Sequence, residues 1–78
     1  MKLWLLTQTT NTGYDTYDSA VVAADTDADA RAIHPTGESN SGEKRYDWAP
    51  SELVTAECLG EAAAGVKRGV YCASFHAG

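Results

Sequence analysis

The stretch from Asp25 to Pro35, DTDADARAIHP, limits what this chain can fold into more than any other. Asp25 or Thr26 can cap a helix. Thr26 and Asp29 have capping-box spacing, with Asp where Glu would be stronger. Asp27 and Asp29 fall in the first turn, where the helix dipole favours negative charge. Ala28, Ala30 and Ala32 are good helix formers, and Ile33 supplies one large apolar contact. Pro35 ends the segment because the residue before a proline avoids helical geometry. His34 then stands at the helix end, where a cation suits the dipole. The predicted helix is therefore short, about Asp27 to Ile33. Such a helix covers only one face of a sheet.

The flanking segments read as strands. In KLWLLTQT, Lys2 to Thr9, Leu3 and Leu5 share one face and Trp4 and Leu6 the other. Asn11, Thr12 and Gly13 then carry turn chemistry, and a second strand follows over about Tyr17 to Ala24. The two strands predict an antiparallel hairpin. Residues 36–51, TGESNSGEKRYDWAPS, form a long polar loop of the kind that is functional or mobile, with Trp48 and Pro50 expected to pin its end to the core. LVTAECLG (53–60) and VYCASFH (70–76) predict the third and fourth strands, joined by an irregular connector. The expected fold is α+β: one domain over 1–78, with a small four-stranded, mainly antiparallel sheet and one short helix in the order β-β-α-β-β. The sheet face away from the helix would show Trp or Tyr side chains to water, which predicts a homodimer or a partner-binding face.

A domain of 78 residues has a small core and gains from a partner, a metal or a disulfide. Two cysteines make no disulfide framework and suit a reducing cytosol. The apolar start MKLWLL stops at Thr7, short of a signal-peptide core or a membrane span, so a soluble intracellular protein is expected. Net charge is −5, from 11 acidic and 6 basic residues. A free-standing duplex-DNA binder carries a basic footprint, and here only EKR at 43–45 and KR at 67–68 are basic. Direct nucleic-acid binding is not expected. An acidic surface suits basic partners, including proteins that themselves hold nucleic acid; moderate negative charge also simply keeps a small protein soluble.

Catalytic and metal chemistry find little support. Cys58, Cys72, His34 and His76 lack zinc-ligand spacing, and strand cysteines are commonly small core residues. A Cys58–Cys72 bridge requires the third and fourth strands to pair in register. Cys72 and His76 lie about 13 Å apart along a strand, too far for a nucleophile–base hydrogen bond. There is no phosphate-binding loop. No enzyme activity, metal or cofactor is expected. Binding chemistry fits better. Tyrosines give large contact area at low entropic cost, and carboxylates meet Arg and Lys as a phosphate would. Tyr14, Asp15, Tyr17 and Asp18 are the first candidates for partner contact, with Asp27, Asp29 and Trp48 behind them. Packing of Tyr17 against the sheet and helix capping by the later aspartates are the structural alternatives.

Three stretches carry a resemblance: MKLWLLTQTTNTGYDTYDSAVVAA, DARAIHP and GVYCASFHAG. Together they resemble a family of small phage and prophage proteins with an M-K-aliphatic-L-T-Q start, a G-Y-D-x-Y-D-S-x-V-V-A hairpin and an A-S-F-x-A-G end. Small acidic phage proteins of this size are similar to the anti-CRISPR proteins, and the analogy is to inhibitors of type I effector complexes, type I-C among them. It implies a non-enzymatic inhibitor in the host bacterial cytoplasm that binds a type I CRISPR effector and blocks target DNA binding. A self-associating accessory phage protein is the alternative, with a small metal-binding protein behind it.

Overall fold

The computed structural model describes residues 1–10, 13, 15–37 and 47–76. Its elements are β1 (Lys2–Thr7), β2 (Thr16–Ala24), α1 (Asp27–Arg31), a 3-10 turn (Ser51–Leu53), β3 (Thr55–Glu61) and β4 (Gly69–His76). The strands form one sheet in the order β3-β1-β2-β4, and every neighbouring pair is antiparallel. The α+β reading and the β-β-α-β-β order are those of the protein.

The β1–β2 hairpin is the centre of the sheet, in a register that sets Trp4 opposite Val22 and Leu6 opposite Ala20. These four side chains share one face by the strand alternation. They are buried together with Ala24, Ala30, Ile33, Trp48, Ala49 and Val54. Small residues at 20, 24, 30 and 49 leave room for two indoles, and the Trp4 indole N–H donates to the buried Ala24 carbonyl at 3.0 Å. Tyr17, Ala56 and Val70 close the margin of this core.

The element ends differ from expectation for local reasons. β1 stops at Thr7 because the Gln8 side chain takes over as a bridge. Its amide donates to the Tyr17 carbonyl at 2.8 Å, and its oxygen accepts from the Thr10 N–H at 2.9 Å. Helix α1 ends at Arg31, two residues early. The N–H groups of Ala32 and Ile33 bond three residues back, to Asp29 and Ala30, which tightens and closes the last turn.

Two expectations are corrected. The open sheet face is aliphatic, not aromatic. Alternation puts Leu3 and Leu5 of β1 and Val21 of β2 there, all half-buried, while both tryptophans lie on the helix side. Cys58 and Cys72 occupy opposite edges of the sheet, on β3 and β4, with two strands between them. At about 4.8 Å per strand they are far beyond bridging distance. Both are free and exposed. Among the described residues no helix is long and apolar enough to cross a membrane.

Candidate functional site at the hairpin end

The candidate contact residues separate into three groups. Asp15 and Asp18 are exposed and sit at the entry to β2. Asp15 has φ of 61°, in the left-handed region that aspartate tolerates better than most residues. The Thr16 hydroxyl ties the turn by donating to the Gly13 carbonyl at 2.6 Å. Asp18 is the extra residue of a β-bulge. Tyr17 pairs with Phe75 and Ser19 with Ser74, so Asp18 has no opposite number on β4. Bulges of this kind re-aim a side chain away from the ladder. Among the described residues neither carboxylate is ion-paired. Tyr14, the third member of the expected set, lies outside the described residues.

Tyr17 serves the fold. It is half-buried, its N–H donates to the Asp47 carbonyl at 2.8 Å and its own carbonyl receives Gln8. Its ring packs edge-on against Phe75 and His34, with centroids 4.7 and 5.9 Å away. Trp48 is fully buried in the core. A side chain with no exposed surface cannot anchor a partner, so Trp48 leaves the candidate set. The end of the polar loop is pinned by this indole, as its composition implied.

Asp27 and Asp29 are exposed or nearly so but already engaged. Asp27 accepts from Arg31 one turn on, at 3.0 Å. Asp29 is gripped by Arg68, whose Nε lies 3.0 Å from each carboxylate oxygen and whose Nη2 lies 2.8 Å from Oδ1. These charge-assisted bonds hold the Asp29 carboxyl below the usual carboxylate range and raise the Arg68 guanidinium. The Thr26 hydroxyl caps the helix by accepting the Asp29 N–H at 3.1 Å. Only half of a capping box forms, because the Asp29 carboxylate turns to Arg68.

His34 is the residue whose place sequence reasoning missed. It is no exposed cation at a helix end: it is fully buried. The Thr36 N–H, which can only donate, points at His34 Nδ1 from 3.0 Å, and the Thr36 hydroxyl lies 2.8 Å from the same atom. Nδ1 therefore accepts, the hydrogen sits on Nε2, and Nε2 donates to Asp47 Oδ1 at 3.2 Å. A His–Asp pair invites a catalytic reading, but the ring is enclosed by Tyr17 and Trp48 and reaches no solvent. The pair clamps residues 34–36 and 47–48 under the base of the hairpin. The motif DW at 47–48, a carboxylate beside a core indole, was the available signal for it.

Among the described residues the molecule thus presents two exposed carboxylates without an ion pair, Asp15 and Asp18, at one end, and a helix whose Asp27 and Asp29 are already paired with arginines. Comparison with protein-family models, with curated proteins and with solved structures found no match.

Proposed function

We propose that this protein is a non-enzymatic inhibitor, acting in a host bacterial cytoplasm, that occupies the cationic nucleic-acid-holding surface of a larger complex. A type I CRISPR effector is the partner implied by the sequence resemblance. One observation carries the reading furthest. Of the four candidate aspartates described, the fold neutralises Asp27 and Asp29 with its own arginines and leaves Asp15 and Asp18 free at the hairpin end. Free carboxylates at the entry to β2 can take the places that backbone phosphates take among Lys and Arg side chains. Affinity of this origin falls as salt rises. No bond is made or broken: the inhibitor excludes DNA by standing where it would lie.

The test is co-purification with each type I effector complex at low salt, followed by DNA binding of the loaded complex. The expected result is a stable assembly at low salt with reduced target-DNA binding, and release of the inhibitor from the complex as salt rises. Absence of binding to every such complex at low salt would sink the proposal. The second reading, a self-associating module, is favoured by a separate observation on β4.

A further inference from the structure

We infer that β4 is a self-pairing edge, and that two copies of this chain join antiparallel through it into one continuous eight-stranded sheet. The inference stands independently of the inhibitor reading.

The first argument is coverage. Helix α1 packs over β3, β2 and β1, so β4 lies beyond the helical layer. Tyr71, Cys72, Ala73, Ser74 and Phe75 are all exposed, Tyr71 at 54% and Phe75 at 47%. Among the described residues, a strand this apolar is held on one side only, by β2, and its outward N–H and C=O groups are a template for another strand.

The second argument is the contrast between the two edges. β3 carries Glu57 and Glu61 and a bulge at Leu59, which are the devices that keep edges apart. Self-pairing there would set carboxylates of like charge together. β4, GVYCASFH, has no Lys, Arg, Asp, Glu or Pro. Its one extra residue, Tyr71, lies near its start. In a chain of net charge −5 it is the strand on which two copies can meet without bringing acidic side chains into the seam.

The third argument is register, which selects a second copy over a foreign strand. In a two-fold antiparallel pair the axis passes through a residue, because directly opposite residues share a face. An axis through Ala73 sets Tyr71 against Phe75 of the copy, Cys72 against Ser74, and Ala73 against itself. Ala73 pairs with the core residue Ala20, and Phe75 with Tyr17. The aromatic residues therefore meet on the helix-side face, around a small centre that lets the strands close. Aromatic cross-strand pairs are among the favourable ones. Tyr71 is already ordered for this: its hydroxyl donates to the Lys67 carbonyl at 2.6 Å and accepts the Lys67 N–H at 3.0 Å.

Sedimentation equilibrium, run from micromolar to millimolar protein at low and high salt, tests the inference. The expected mass is that of two chains. Association should tighten with salt, because screening relieves repulsion between two acidic copies, the opposite of the behaviour proposed for the inhibitory contact. Ala73→Lys, at an exposed position, should return the mass of one chain with an unchanged circular dichroism spectrum. In a Cys58→Ser background, Ser74→Cys should give a covalent dimer on oxidation through Cys72, and adding Cys72→Ser should abolish it. A one-chain mass at every concentration overturns the inference. So does a dimer that survives Ala73→Lys and does not cross-link in the Ser74→Cys protein, because the copies would then meet elsewhere. Should the lysine variant fail to fold, the cross-link alone decides.

Discussion

His34→Ala should cost more stability than any surface change in this chain. The ring is fully buried, and its removal deletes the partner of the Thr36 N–H at 3.0 Å and the donor to Asp47 at 3.2 Å. Thr36 and Asp47 can partly turn to water once the ring is gone, so each lost contact costs about 0.5–1.5 kcal/mol. The void beside Tyr17 and Trp48 adds about 1–2 kcal/mol after partial collapse. The total is about 2–5 kcal/mol. A chain of this length has roughly 4–12 kcal/mol to lose. With a urea slope near the low end for small proteins, about 1 kcal/mol per molar, the midpoint should fall by about 2 M or more. His34→Gln, which can keep a donor toward Asp47 but not the acceptor for Thr36, should cost about half as much. The assay is equilibrium urea unfolding followed by tryptophan fluorescence, which reads the buried Trp48 directly. A loss below about 1 kcal/mol for the alanine variant would refute the clamp, since that is the ordinary cost of an undistinguished substitution.

Three further outcomes follow from the same geometry. A double-mutant cycle on Asp29→Asn and Arg68→Ala, read by thermal unfolding, should give a coupling of about 0.5–1 kcal/mol, the upper range for exposed pairs, because the contact is bidentate but solvent-screened. Asp29 has its carboxyl pKa lowered in the folded state from 3.8, so its contribution is present above that pH and fades as pH falls through the lower folded value; Arg68→Ala should flatten the stability profile in that acid range. Gly69, at φ of 148°, opens β4 where L side chains are strained; Gly69→Ala should cost about 1–2 kcal/mol by chemical denaturation, and an unchanged midpoint would contradict this.

Much of the fold is legible in the sequence because its signals are local. The helix is readable from Thr26, the two early aspartates and Pro35, and the first strand from the alternation of Leu3 and Leu5 with Trp4 and Leu6. What was not legible is long-range. Nothing local to Asp29 announces Arg68, 39 residues away, and so nothing distinguishes an engaged aspartate from a free one. Trp48 reads equally as an interface anchor or a core residue, since an indole suits both; the small residues facing it decide for the core. His34 looked like a helix cap because its chain neighbours were visible and Asp47 was not. The sheet order, which separates Cys58 from Cys72 and leaves β4 at an edge, depends on which side of the hairpin the chain returns to, and no residue pattern encodes that.

The central claim is that the free carboxylates at the hairpin end, and not the acidity of the chain as a whole, make the contact with a cationic partner. Affinity for the effector complex should therefore be compared between two variants of equal net charge: Asp15→Lys with Asp18→Lys, and Asp27→Lys with Asp29→Lys. At low salt, with folding verified for both, the first pair should weaken binding by about 10- to 100-fold and the second by less than about threefold. Equal losses in the two variants, or a larger loss from the helix pair, would contradict the account.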